Sequence, residues 1–295
     1  MVVYLDDILI FSKTPEEHER HVHQVLATLE DTQLLVKPGK AKWHAQEVKY
    51  LGYCISPGKI GMDPEKVRAI RDWPRPKNVK DVRSVLGFMN FYRRFVKGYS
   101  QVATLLTQLT KKDQAFEWKE PQQQAFDKLK ELIPQEPILT IPDPEKPFEV
   151  EADASEFALG GQLGQRDEEG RLHPVAFYSK KLNGPELNYQ IHDKELMAII
   201  EAFREWKHYL TGTKHPVKVY TDHKNLTNFT TTQALNKRQT QWAEFLSEFN
   251  FTIIFLSIGK ALRMDEQMCS ADAVTSNRIY PRSKVDYCER TRKGI

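Results

Sequence analysis

The sequence has little cysteine and lacks any long apolar run. Its 295 residues include three cysteines, Cys54, Cys269 and Cys288, and none of them forms a C-x-x-C pair. This spacing argues against a zinc ribbon, a redox motif and a disulfide framework, and it favours a reducing compartment. No apolar stretch is long enough to cross a bilayer, and the acidic N-terminus has none of the features of a signal peptide. We therefore expect an intracellular, soluble protein of the cytoplasm or nucleus.

The net charge is also low, at +3, but this total hides an uneven distribution. Residues 37–130 carry 20 basic and 9 acidic side chains, whereas residues 1–36 and 131–277 are acidic overall. A solvated basic surface explains this block as well as a surface that binds a polyanion does. Its position between two acidic regions favours polyanion binding beside sites that hold cations.

The chain opens with MVVYLDDILIFSK, in which Asp6 and Asp7 lie between two apolar, largely β-branched runs. Adjacent side chains of a strand point to opposite faces, so the two carboxylates cannot both face water if both flanks are buried. The pair predicts either a tight turn between two strands, where Asp is common, or a metal site at the tip of a hairpin. The opening residues by themselves leave both interpretations open.

Residues 63–133 are predicted to be helical. Four helical stretches follow one another, and the first two begin at good N-cap residues. In this helical block, aromatic side chains interleave with Arg93, Arg94 and Lys97, and the second stretch, NVKDVRSVLGFMNFYRRFV, contains the two arginines. Core packing explains most of the aromatic side chains, whereas the cationic ones are candidates for phosphate contacts. The proline-rich residues 134–146 then predict an extended linker and a domain boundary.

Beyond the linker, residues 147–277 are predicted to form an α/β domain. Three strands come first, then a long helix from about Glu186 to Tyr209, and then alternating strands and helices. This order is typical of a mixed sheet covered by helices. The basic, glycine-ended residues 278–295 predict a disordered tail.

Four carboxylates of this domain are candidates for one metal site. Asp153 and Asp222 each end a predicted strand, where ligand sites of open sheets collect. Glu195 lies beside the apolar stripe of the long helix, where an unpaired acid is costly, and Asp272 lies in the small-residue segment SADAVTS. Taken singly, each acid is more simply a cap or a surface group. Taken together they can converge, and clustered carboxylates are tolerable mainly when divalent cations lie among them.

Several longer motifs resemble a known family. The stretch HPVAFYSKKLNGPELNYQIHDKELMAIIEAFREWKHYLTG, with DAS before it and VYTDHKNL after it, resembles the ribonuclease H domain of gypsy-class LTR retrotransposon polyproteins. YLDDILIFSKTPEEHERHVHQVLATL is similar to the palm of their reverse transcriptase, and PRPKNVKDVRSVLGFMNFYRRFV is similar to the thumb. Between them, YLGYCISPGKIGMDPEKV resembles the strand that grips the primer. The resemblance covers residues 1 to about 277.

The resemblance implies an α+β palm and thumb remnant, over residues 1–62 and 63–133, followed by an RNase H-like mixed-sheet α/β domain. It implies hydrolysis of the RNA strand of an RNA–DNA hybrid with two Mg²⁺ ions, or Mn²⁺. The implied catalytic and metal-binding residues of this ribonuclease H are Asp153, Glu195, Asp222 and Asp272. Asp6 and Asp7 match metal-binding positions of the polymerase. The implied contacts with primer–template or hybrid are Leu51, Gly52, Tyr53, Arg93, Arg94 and Lys97.

The chain departs from the family at both ends. In the family, the fingers and the front of the palm precede YLDD and supply a further catalytic Asp, whereas here Met1 lies three residues before Tyr4. We therefore expect an N-terminally truncated chain that does not polymerise DNA by itself. The segment LSIGKALRMDEQMCSADAVTSNR has a longer loop than the family pattern, so Asp272 is favoured as the fourth ligand and Asp265 is the alternative. If this loop misplaces Asp272, the chain is an inactive nucleic-acid-binding remnant.

Overall fold

The computed structural model of the protein describes residues 1–112, 114–135, 138–223, 226 and 235–255. These residues form two compact units, Met1–Trp73 and the region from Pro74 onward. Asp265, Asp272 and the tail 278–295 lie outside the described residues. Among the helices of the described part, none is both long enough and apolar enough to cross a membrane.

The first unit begins with a β-hairpin. Strands β1 (Val2–Tyr4) and β2 (Asp7–Leu9) pair antiparallel, with Tyr4 opposite Asp7. The turn between them is formed by Leu5, whose φ is 49°, and Asp6. The hairpin that both interpretations of the Asp pair require is therefore present. Helix α1 (Pro15–Asp31) follows the hairpin.

The rest of the first unit is a short antiparallel meander and a helix. Strands β3 (Val48–Tyr50), β4 (Tyr53–Ser56) and β5 (Lys59–Met62) pair in sequence order. Leu51 and Gly52 form the first turn with φ values of 48° and 82°. Positive φ at both central residues is what a type I′ hairpin turn requires, and it suits the glycine. Helix α2 (Pro64–Arg71) completes the unit.

The second unit begins with the predicted helical region. It contains helices α3 (Val79–Phe91), α4 (Tyr99–Gln108) and α5 (Glu120–Leu132), with a 3-10 turn over Arg93–Phe95. The sequence predicted one helix through this turn, whereas the α-helix ends at Phe91. The physical reason lies in packing, because the turn brings Phe95 and Val96 into the core, where both are fully buried.

The sheet of the second unit is mixed, as the sequence predicts. After the short strand β6 (Leu139–Thr140), the sheet contains β7 (Glu149–Ala154), β8 (Ala158–Arg166), β9 (Leu172–Lys181), β10 (Val217–Thr221) and β11 (Phe251–Phe255). Its order is β11-β10-β7-β8-β9. Strands β7, β8 and β9 are antiparallel neighbours, whereas β10 runs parallel to both β7 and β11. The predicted α/β fold class is confirmed.

The predicted long helix is divided into three. These are α6 (Gly184–Leu187), α7 (Ile191–Glu205) and α8 (Lys207–Leu210), and α9 (Lys237–Leu246) follows β10. The start of α7 at Ile191 depends on tertiary contacts. Asp193, in the first turn of α7, forms an ion pair with Arg238 and accepts a hydrogen bond of 2.8 Å from Gln239 Nε2, both on α9. These contacts fix the N-terminus of α7 against a helix that is distant in sequence.

Helix α7 covers one face of the sheet. Its apolar side chains, including Leu196, Ile199 and Phe203, are at most 1% exposed and share one core with Val150 of β7 and Leu163 of β8. Each such side chain contributes about 1.5–3 kcal/mol when it is fully buried. This packing fixes the helix across the sheet and therefore sets the position of every polar side chain that α7 carries.

Candidate functional site

Two neighbouring parallel strands bring two of the predicted acids together. Asp153 is the fifth residue of β7, and Asp222 directly follows β10. The two strands pair through Tyr220 opposite Glu151, so their carboxyl ends meet at the same edge of the sheet. Carboxyl ends of parallel strands are where open α/β sheets collect ligand sites.

The third acid comes from the helix that covers the sheet. Glu195 lies on α7, one residue before the core side chain Leu196, and is only 4% exposed. Asp153, Glu195 and Asp222 each offer a carboxylate oxygen, and these three oxygens lie within 4.8 Å of one another. Of the acids predicted for this site, the described residues include these three and bring them together.

Burial and mutual repulsion perturb two of the three carboxyl groups. Burial, followed by the charges of Asp153 and Asp222, raises the pKa of Glu195 to about 8. Burial and then the charge of Asp222 raise the pKa of Asp153. The backbone N–H of Ala154 donates a hydrogen bond of 3.3 Å to Glu195 Oε1 and opposes the rise in both groups. The cluster is therefore electrostatically unfavourable unless cations or protons neutralise it.

One oxygen of the cluster has no hydrogen-bond partner. Glu195 Oε2 is buried, and no donor of the described residues reaches it. A buried carboxylate oxygen without a partner costs free energy, and a bound cation removes this cost. Three converging carboxylates provide the hard oxygen ligands that Mg²⁺ and Mn²⁺ take in proteins. The residues present therefore fit a divalent cation.

The acid cluster opens into a cleft of about 460 Å³. The sheet supplies most of its lining, but Lys97, Gly98 and Gln101 come from the start of α4 and the residues before it. The sequence assigned Lys97 to nucleic-acid binding but did not place it beside these acids. No local signal could have done so, because more than fifty residues separate Lys97 from Asp153 and only the tertiary fold joins them.

The remaining predicted residues lie elsewhere. Asp6 and Asp7 are exposed at the β1–β2 hairpin. Leu51 and Gly52 form the β3–β4 turn, and Tyr53 begins β4.

The two arginines of the 3-10 turn take part in packing. The guanidinium of Arg93 donates to the backbone carbonyl of Ser179, and Arg94 Nε is buried without a partner among the described residues. Asp272 and its alternative Asp265 lie outside the described residues, so the fourth ligand stays a prediction.

The region that holds the three acids matches a known family. Residues 143–249 match the RNase H-like domain found in reverse transcriptase. Residues 1–55 match the reverse transcriptase (RNA-dependent DNA polymerase) family.

Curated relatives come from a fission yeast. The Tf2-3 and Tf2-7 transposon polyproteins of Schizosaccharomyces pombe are each 38% identical to this chain over 255 residues. The match covers 86% of this chain but 19% of each polyprotein, so the chain spans about a fifth of the length of these relatives.

Solved structures show the same fold. The foamy viral protease-reverse transcriptase in complex with RNA/DNA hybrid superimposes with a TM-score of 0.74 at 23% identity, covering 87% of this chain and 35% of that one. The same viral protein in complex with dsDNA gives a TM-score of 0.73 at 23% identity, over 87% of this chain and 54% of that one. The chain is therefore similar to the reverse transcriptase and ribonuclease H families and to retrotransposon polyproteins, and the predicted resemblance is confirmed.

Proposed function

We propose that this chain hydrolyses the RNA strand of RNA–DNA hybrids. The observation that carries this proposal is the convergence of Asp153, Glu195 and Asp222 within 4.8 Å at the edge of an RNase H-like sheet. The foamy viral neighbour is a complex with RNA/DNA hybrid, and this supports a hybrid as the substrate here. A hybrid is recognised through its shape and its 2′-hydroxyl groups rather than through its base sequence.

The carboxylates act by holding divalent cations. Asp153, Glu195 and Asp222 would hold these ions as carboxylate ligands. Asp272 is the proposed fourth ligand. Two Mg²⁺ ions, when bound, supply Lewis acidity that activates a water and stabilises the departing oxygen of the phosphodiester. The buried position of Glu195 keeps its carboxylate fixed, while the exposed Asp153 and Asp222 leave the site open to a duplex.

We further propose that these 295 residues do not polymerise DNA by themselves. Among the described residues, Asp153, Glu195 and Asp222 form the group of three acids that could hold a metal ion. Within the same residues, Asp6 and Asp7 have no third acid close enough to complete such a group. Two-metal chemistry needs ligands that fix both ions, so the hairpin pair is an incomplete site. Extension of a labelled primer on an RNA template by the purified chain would overturn this proposal.

The test of the nuclease is cleavage of a labelled RNA–DNA hybrid in Mg²⁺. The wild-type chain is expected to cut the RNA strand, and Asp153→Asn is expected to lower the rate by at least about a hundredfold, because it removes a charge from the metal ligands. Asp167→Asn is a matched control, since Asp167 lies at the far end of β8 and bonds Arg171 and His173. Hybrid that is bound but left intact by the wild-type chain would identify a binding remnant instead of a nuclease.

A further inference from the structure

Three paired residues form a row across neighbouring strands, from the edge strand β9 to Asp153 of the acid cluster. Gly160 of β8 is paired with Asp153 of β7, and Ser179 of β9 is paired with Gly160. Cross-strand partners point to the same face of a sheet, so all three lie on the face that carries Asp153. A Cβ atom at Gly160 would meet nothing within 4 Å. The middle of the row is therefore open space next to Asp153.

The segment between α3 and α4, together with the start of α4, is hydrogen-bonded to Ser179, the residue of this row on the edge strand β9. The Ser100 N–H donates to Ser179 Oγ at 2.8 Å, and the Ser100 hydroxyl donates to the Ser179 carbonyl at 2.9 Å. The guanidinium of Arg93 donates to the same carbonyl. Between these two anchors, Val96 is fully buried and Lys97 is exposed. The backbone at Lys97 is therefore held by the residues on both sides of it, while the Lys97 side chain is exposed.

Lys97 shares the cleft with two of the three acids. It lines the cleft together with Asp153, Glu151 and Asp222, and it is the one cationic side chain among the lining residues that the structure describes. Strands are spaced by about 4.8 Å, so the row measures roughly 10 Å from end to end.

We propose that Lys97 is a substrate-binding residue of the nuclease site, whose ammonium contacts a phosphate of the strand that lies over Gly160. This inference rests on the proposed ribonuclease function. Carboxylates hold cations but repel the phosphodiester, and an ammonium in the same cleft offsets this repulsion. The site is then built from several parts of the chain, with the acids on the sheet and on α7 and the phosphate contact on the segment that leads into α4.

The experiment compares three variants of the full chain: Lys97→Gln, Lys97→Arg and the control Lys128→Gln. Lys128 is an exposed lysine of α5 that pairs with Glu131 and does not line the cleft. Binding of a labelled RNA–DNA hybrid is measured over a range of salt, with Ca²⁺ replacing Mg²⁺, and cleavage is measured in Mg²⁺. Lys97→Gln is expected to weaken binding by about tenfold and to reduce the slope of log Kd against log salt by about one. In the cleavage assay, Lys97→Gln is expected to raise KM and to leave kcat nearly unchanged. Lys97→Arg is expected to retain most of the affinity.

A second substitution tests whether the substrate occupies the open space at Gly160. Gly160→Val would place a branched side chain beside Asp153, its cross-strand partner. It is expected to weaken hybrid binding without lowering the urea midpoint of unfolding, because a Cβ atom at this position meets nothing within 4 Å. Unchanged binding in Gly160→Val would show that no strand lies over this position.

The outcomes separate this inference from the proposed function. An unchanged Kd and salt slope in Lys97→Gln overturns the inference even if the chain is a nuclease. A lower unfolding midpoint in EDTA with an unchanged salt slope also overturns it, because Lys97 would then only neutralise Asp153. A wild-type chain that binds but does not cleave refutes the nuclease, while the binding data still decide the role of Lys97. A wild-type chain that does not bind the hybrid overturns both.

Discussion

Replacing Glu195 by Gln should stabilise the protein at alkaline pH when no metal is bound. Glu195 is 4% exposed, and its pKa is raised to about 8, first by burial and then by Asp153 and Asp222. The amide keeps the shape of the side chain, and its oxygen can still accept the hydrogen bond from the Ala154 N–H. The substitution therefore removes mainly a buried charge.

The size and the sign of the effect follow from the pKa. The rise from an ordinary value of 4.5 to about 8 corresponds to at most about 4.8 kcal/mol. Solvent near the exposed Asp153 and Asp222 screens part of this, so we expect about 1–3 kcal/mol. Below pH 4.5 the carboxyl group is protonated in both folded and unfolded chains and costs nothing; above pH 8 it is ionised in both and the full cost applies. The wild-type chain therefore loses stability relative to the variant as the pH rises between these values.

The assay is urea unfolding in EDTA at pH 5 and pH 8. Glu195→Gln should exceed the wild type in free energy of unfolding by about 1–3 kcal/mol at pH 8 and by much less at pH 5. Glu205→Gln, at the exposed end of the same helix, is the control and should show no such pH-dependent gain. Adding Mg²⁺ should stabilise the wild type more than the variant, because binding a metal favours the ionised ligand. A variant less stable than the wild type at pH 8 in EDTA would refute this reasoning.

Two further substitutions test the packing that supports the site. Asp193→Ala should lower the free energy of unfolding by about 3 kcal/mol, because it leaves Arg238 of α9 without its buried partner; an effect below about 1 kcal/mol in urea unfolding would show that the ion pair does not fix α7. Gly164→Ala should cost about 1–3 kcal/mol, since its Cβ would lie 3.0 Å from the His173 carbonyl oxygen. Gly160→Ala is the matched control on the same strand, and equal thermal midpoints for the two alanine variants would contradict the argument.

Local sequence was sufficient for much of the fold. The sequence predicted a strand that ends at Asp153, and its apolar residues Val150 and Ala152, which alternate with the acids, are buried. Helix starts were also readable, because a cap is a contact between near neighbours. The Asn78 side chain, for example, accepts a hydrogen bond from the Asp81 N–H at 2.9 Å.

Helix ends and breaks were less readable, because they depend on distant partners. The sequence predicted one helix from about Glu186 to Tyr209, whereas α7 begins at Ile191, where Asp193 meets Arg238 of α9. The predicted helix through Arg93 ends early for a similar reason. Arg93 donates to the Ser179 carbonyl of β9, and periodicity along the chain carries no information about such a partner.

The sequence by itself determined the kinds of element, the mixed α/β class, the family and the identity of the candidate acids. These follow from period, capping and motif, which are properties of residues close together in the chain. The tertiary structure alone decided that the oxygens of Asp153, Glu195 and Asp222 meet within 4.8 Å, and that Lys97 lines the same cleft as Asp153 and Asp222. The physical reason is that both arrangements depend on which strand pairs with which and where α7 packs, and these are contacts between residues far apart in sequence.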